Sequence, residues 1–137
     1  GGFHSPMEKE CLAVLLRGPE AVILCPARGL EGMRLPSEWH EALDAGRLLV
    51  LSGFEAREDR VTAETAAKRN RFAAALADAL FVAHADPGGK TEALCREAAS
   101  WGKPIYTFGD PANANLLFLG ARVRERGRRG DGESGRE

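Results

Sequence analysis

No apolar run in this chain of 137 residues approaches the roughly 20 residues needed to cross a bilayer. No signal peptide is visible at its start, which is Gly1 rather than Met. No membrane association is expected. Cysteine is scarce. Cys11, Cys25 and Cys95 are odd in number, widely spaced and set in apolar surroundings. They fit neither a zinc-ligand spacing nor a disulfide framework, and they read as buried, inert thiols in a reducing cytoplasm. Excess charge is missing as well. The formal net charge is −1, so no overall basic field exists and any anion binding must come from a local cluster. His4, His40 and His84 stand far apart, with no paired carboxylates at catalytic or metal-ligand spacing. No Gly-x-Ser-x-Gly elbow is present. Neither a metal, a cofactor nor a catalytic set is expected.

What the chain does contain is an alternation of short apolar runs with helical segments, at a length that suits one domain. Gly1 to Phe3 reads as the end of a strand. Ser5-Pro6-Met7-Glu8 is a capping box with proline at the first helical position. It opens a helix to about Arg17 that buries Met7, Cys11, Leu12, Val14 and Leu15. Ala21 to Cys25 suits a buried strand. A loop from Ala27 to Pro36 carries Arg28 and Arg34. Ser37 caps a helix to about Ala45, and Gly46 ends it. Leu48 to Leu51 is a strand, and Thr62 caps a longer helix to about Ala77. Leu80 to Ala83 is a strand, Thr91 to Trp101 a helix, Pro104 to Phe108 the last strand, and Asn113 to Leu119 a short helix. Strands separated by helices imply parallel pairing with right-handed crossovers. Continuously apolar strands imply a sheet covered on both faces. The fold class is α/β, a doubly wound, mostly parallel Rossmann-like sheet over 1–121. The segment 122–137, with six arginines against four acidic residues and no apolar periodicity, reads as a disordered charged tail.

Ligands of such sheets bind beyond the carboxyl ends of the strands, and the candidate site residues fall there. The loop His84 to Gly89 feeds a helix opened by Lys90 and Thr91. Free N–H groups and the helix dipole favour an anion at such a place. Gly88 and Gly89 let backbone approach a ligand, and Lys90 adds a mobile cation. The run Gly88-Gly89-Lys90-Thr91 resembles the end of a Walker A motif, but the position that needs the first glycine is His84. A looser phosphate loop is the better reading. Gly2-Phe3-His4-Ser5 is a strand-to-helix turn that can meet a second phosphate, although Ser5 also explains itself as an N-cap. Phe3 is the one aromatic placed at this edge. Arg28 lies in another edge loop. Arg69, Asn70 and Arg71 sit on a helix, where residues two apart do not share a face.

The ordered series of these motifs resembles the Rossmann-like domain of the DNA-processing protein A family (DprA, or Smf), within the wider SLOG group. Members carry a Ser-Gly-x-Ala-Arg-Gly-type turn where this chain has Gly1-Gly2-Phe3-His4-Ser5-Pro6. The family's Arg-Asn-Arg is present as Arg69-Asn70-Arg71. Its Ser-Gly-Ser-type loop corresponds to Val82 to Thr91. Its closing strand and Asn-x-Leu-Ile-x-x-Gly-Ala end correspond to Gly102-Lys103-Pro104-Ile105-Tyr106 and to Asn115-Leu116-Leu117-Phe118-Leu119-Gly120-Ala121. The turn's arginine position is Ser5. The family's first strand and helix would lie before Gly1, so the resemblance makes the chain a fragment of a longer protein.

The resemblance implies non-catalytic binding of single-stranded DNA or nucleotide phosphates at the carboxyl edge of the sheet. For DprA itself it implies transfer of the strand to a RecA-type recombinase during DNA uptake and recombination. A second copy of the chain is a further candidate partner. Two alternatives belong to the SLOG group: a nucleotide sensor, and a nucleoside-monophosphate phosphoribohydrolase with a Pro-Gly-Gly-x-Gly-Thr-x-x-Glu loop. Pro87-Gly88-Gly89-Lys90-Thr91 begins like that loop. It lacks the third glycine, however, and Leu94 stands where the glutamate belongs.

Overall fold

The computed structural model describes residues 1–125. Among them every strand pairing is parallel, as in a Rossmann-like α/β fold, and the strands form two small sheets where the sequence reading has one. The chain divides into two compact units, the first ending at Leu76 and the second beginning at Ala77, where the sequence reading has one domain.

In the first unit, α1 (Pro6–Arg17) starts as expected. The Ser5 hydroxyl accepts from the Glu8 N–H at 3.3 Å, and the Glu8 carboxylate accepts from the Ser5 N–H at 3.0 Å. Two otherwise orphaned donors are satisfied at once. β1 (Val22–Leu24) pairs with β2 (Leu48–Val50), Val22 opposite Leu48. Gly1 donates to the Ile23 carbonyl at 3.2 Å and accepts from the Cys25 N–H at 2.8 Å. Those two bonds are the ones a parallel neighbour of Leu24 makes. The helix expected from Ser37 is a 3-10 turn, Ser37–Trp39, followed by a short α2, His40–Asp44. Ser37 makes no cap, and its turn starts from Pro36 instead. α3 (Ala63–Leu76) is opened by a reciprocal pair. The Thr65 N–H reaches Thr62 Oγ1 at 3.1 Å, and the Thr62 N–H reaches Thr65 Oγ1 at 2.8 Å.

The core of this unit joins Leu12, Val22, Leu24, Ala42 and Leu48, with Phe3, Leu16 and Trp39 packed against it. Two expectations are corrected here. Of the five α1 residues expected inside, Leu12 alone is buried, while Met7, Cys11, Val14 and Leu15 are exposed. A helix buries one stripe, and the stripe here runs through Leu12 and Leu16. Nor are the strands covered on both faces. Ile23 and Leu49 are about half exposed, because alternate residues point to opposite faces and this core lies on one of them.

The second unit runs β3 (Leu80–Phe81), α4 (Lys90–Ser100), β4 (Ile105–Thr107), a 3-10 turn at Pro111–Asn113, α5 (Ala114–Phe118) and β5 (Arg122–Val123). The strand order is β3-β4-β5. Ala85, Cys95, Ile105 and Leu116 form its core, with Leu80, Val82 and Leu119 against them. β5 corrects the start of the expected tail. Arg122 pairs with Tyr106 and Val123 with Thr107, so ordered structure continues past Ala121. A two-residue strand between arginines has no periodicity to announce it. The remainder of the expected tail, from 126 on, lies outside the described residues. Among the described residues, no helix is long and apolar enough to cross a membrane.

Candidate anion site

The first unit holds a cavity of about 730 Å³ at the carboxyl end of β1. Its wall is apolar: Phe3, Leu12, Leu16, Leu24 and Trp39 line it, with Val61 at the approach to α3. Its polar groups are mostly cationic or neutral, namely His4, Lys9, Arg28, Thr62 and Arg69, with Glu38 as the acid. Of the residues picked out in the sequence, Gly2, Phe3, His4, Arg28 and Arg69 meet here.

Arg69 is the unusual member. It is only 7% exposed. Its Nε donates to Asn70 Oδ1 at 2.7 Å and its Nη1 to the Cys25 carbonyl at 3.3 Å. None of the ion pairs among the described residues involves it. A buried guanidinium is ordinarily matched by a carboxylate, because an unmatched buried charge costs several kcal/mol. Here no carboxylate bonds it directly: one carbonyl and one amide brace it, the Glu8 carboxylate lies near enough to feel its charge, and it lines the cavity. Gly2 is what makes room for it: a β-carbon at that position would overlap the guanidinium. Phe3, the next residue, has φ 51°. A non-glycine residue in that left-handed region carries about 1–3 kcal/mol of local strain. The strain is held at the lip of the cavity.

The loop after β1 is fixed from below. Ser52 donates to the Arg28 carbonyl at 2.6 Å. The Gly29 N–H reaches the Glu58 carbonyl at 2.6 Å. Gly29 is obligatory for a steric reason, since a β-carbon there would run into the backbone of Glu55 and Ala56. Arg28 spends its Nε on the Gly29 carbonyl and its Nη2 on the Glu31 carbonyl, each at 3.0 Å. It therefore braces the loop as well as lining the cavity.

Other expected contacts are spent locally. The Ser5 hydroxyl and N–H are both taken by the α1 cap. Glu8, which shares that cap, has its carboxyl held below the usual range. Burial pushes it up, but the bonds to Ser5, with help from the Arg69 charge, outweigh burial. Asn70 serves Arg69. Arg71 is exposed, on a different face of α3 from Arg69, as two-residue spacing dictates.

The second unit contains Gly88, Gly89, Lys90 and Thr91, and it uses much of that loop for itself. Gly88 adopts φ 74°, a conformation glycine takes without strain. The Gly89 N–H is bonded to the Asp86 carbonyl at 2.9 Å. Gly89 is the N-cap of α4 and has no side chain to offer. Glu92 stands in the first turn of that helix. Its carboxyl is buried and held below the usual range, first by the Asn115 amide at 2.6 Å, then by the Gly88 N–H and by Arg96 at 3.1 Å. Lys90 and Thr91 are exposed at the helix start. The loop that the sequence marks as the principal phosphate site is thus followed by a carboxylate held by Asn115 and Arg96. The sequence reading also overlooked Trp39. It sits in a 3-10 turn whose position follows from tertiary packing, and no local pattern marks it.

The fold is that of a DprA-like Rossmann domain. It resembles a solved structure of DNA processing protein A (DprA) from Streptococcus pneumoniae. The two superpose with a TM-score of 0.69 over 90% of this chain, at 20% sequence identity. The chain spans 46% of that protein's chain. No family model matches the sequence, and no curated protein matches it.

Proposed function

We propose that this chain binds single-stranded DNA or nucleotide phosphates without chemistry, at the cavity built around Arg69. The observation that carries the reading is a buried guanidinium that makes no direct ion pair among the described residues, with only the more distant Glu8 carboxylate acting on it. A phosphate oxygen supplies the direct charged contact that Glu8 does not make, and a planar guanidinium suits it. Phe3 and Trp39 beside it offer apolar surface for a base, the usual companion of a cationic groove in single-strand binding. The DprA-like fold adds support, because that relative is a DNA processing protein. Passing the strand to a RecA-type recombinase during DNA uptake or recombination belongs to the same proposal, as do a cytoplasmic location and self-association.

A mononucleotide sensor is the second reading. The cavity volume favours it, since about 300–1,000 Å³ is the range of small-molecule sites. The phosphoribohydrolase reading needs a carboxylate free to act in the loop before α4, and Glu92 is engaged by three donors there. The test is fluorescence anisotropy with a labelled oligonucleotide at two salt concentrations, with AMP and ATP as competitors. The proposal expects tight binding that weakens with salt, by about 0.7 in log K per log unit of salt for each phosphate neutralised, and little competition by mononucleotides. Displacement at micromolar AMP or ATP would transfer the site to the sensor reading.

A further inference from the structure

The second unit carries a surface that the Arg69 cavity does not use. Successive strand residues point to opposite faces. Leu80 and Ile105 face the core under α4 and α5, which puts Phe81, Tyr106 and Phe108 on the other face. The Phe81 and Phe108 rings meet edge to face with centroids 5.0 Å apart. Tyr106 stands in register with Arg122. Two residues on, the Arg124 guanidinium carbon lies 4.8 Å from the centre of the Tyr106 ring. Phe81 is 53% exposed, and both arginines are exposed. The residues of β3, β4 and β5 include no acid, and Glu125 follows only after Arg124.

We infer that this aromatic and basic sheet face is a second contact surface for a single-stranded nucleic acid. Bases stack on the Phe81 ring and on the Arg124 guanidinium, which is itself layered on Tyr106. Phosphates pair with Arg122 and Arg124. Bases are read in this manner on aromatic rings and arginine planes when a sheet face is the platform. A second copy of the chain is the less suitable occupant. A two-fold contact would set Arg122 and Arg124 near their own symmetry mates, with no strand carboxylate to relieve the repulsion. The inference rests on the proposed single-strand binding and extends its footprint.

The test uses a labelled oligothymidylate of about 20 nucleotides, longer than the roughly 4–16 covered by a typical single-strand module. Three variants are compared with wild type: Phe81→Ala, the double variant Arg122→Ala with Arg124→Ala, and Arg69→Met. The double variant should lose about tenfold or more in affinity, and its salt slope should flatten by roughly 1.4 for two phosphates. Phe81→Ala should weaken binding with an unchanged slope. Ultraviolet crosslinking of the wild-type protein to the same strand, which needs no variant to fold, should label the Tyr106–Phe108 peptide. Wild-type affinity and slope in both sheet variants, with binding still lost in Arg69→Met, would overturn the sheet face and leave the cavity standing. A sheet variant that changes only the oligomeric state would give the face to self-association and overturn the inference. No binding by wild type would overturn the proposed function itself.

Discussion

Arg69 and Gly2 form one device although they are far apart in sequence. The guanidinium reaches the Cys25 carbonyl only because nothing projects from the Gly2 α-carbon. Gly2→Ala should therefore push the guanidinium out of place. The obstacle is the far end of a flexible side chain, so the fold should survive. The expected result is a loss of oligonucleotide affinity of about tenfold, the value of one displaced charge-assisted bond of about 1.4 kcal/mol or more, with a smaller change in thermal stability. A Gly2→Ala variant that binds as wild type would separate Gly2 from the site. Arg-Asn-Arg was legible as a motif, but which arginine lies buried was not. The sequence places Arg69 and Arg71 on different faces of a helix, and tertiary packing alone decides which face is inside.

Between elements, the most informative link is the histidine that ties the loop after β3 to the start of α5. Asn113 donates its amide to the Ala83 and Phe108 carbonyls at 3.0 and 3.2 Å. Its Oδ1 is thereby turned to His84 Nδ1 at 3.1 Å, while Asp86 Oδ1 lies 3.0 Å from Nε2. Both ring nitrogens face acceptors, an arrangement that the imidazolium alone satisfies fully. The bonds to Asp86 and Asn113, with the charges of Asp86 and Asp110, raise the His84 pKa above its ordinary 6.5. A raised folded pKa stabilises the folded state at pH below 6.5, and that stabilisation is lost as pH rises through the higher folded value. Thermal unfolding followed across that window should show a midpoint that falls with rising pH, and His84→Gln should flatten the dependence. A His84→Gln protein with the wild-type pH profile would remove the link. Helices and strands themselves were legible where capping and apolar runs are strong, as at Ser5 and Val22–Leu24. The 3-10 turn at Ser37–Trp39 and β5 were not, because each is held by packing or pairing with distant residues.

At the scale of the whole molecule, the α/β alternation and its parallel pairing follow from the sequence, and the DprA-like fold agrees with it. The division into two units was not legible, since no composition shift marks the boundary at Leu76 and Ala77. Nor was the centre of the site. Glycines before a helix signal an anion site in general, and here they are followed by the buried Glu92 carboxylate, held by Asn115 and Arg96. The buried guanidinium that makes no direct ion pair among the described residues lies in the first unit. In the proposed function Arg69 is a charge kept for a ligand rather than for the fold. Arg69→Met tests this directly, with thermal unfolding and oligonucleotide anisotropy read on the same protein. The side chain keeps comparable length and sheds a buried charge, a kind of replacement that is often neutral or stabilising. The prediction is a loss of stability smaller than the roughly 3 kcal/mol of the two charge-assisted bonds given up, because shedding the buried charge offsets them, together with at least tenfold weaker binding. A destabilised protein that binds the strand as tightly as wild type would contradict it, making the guanidinium a structural strut.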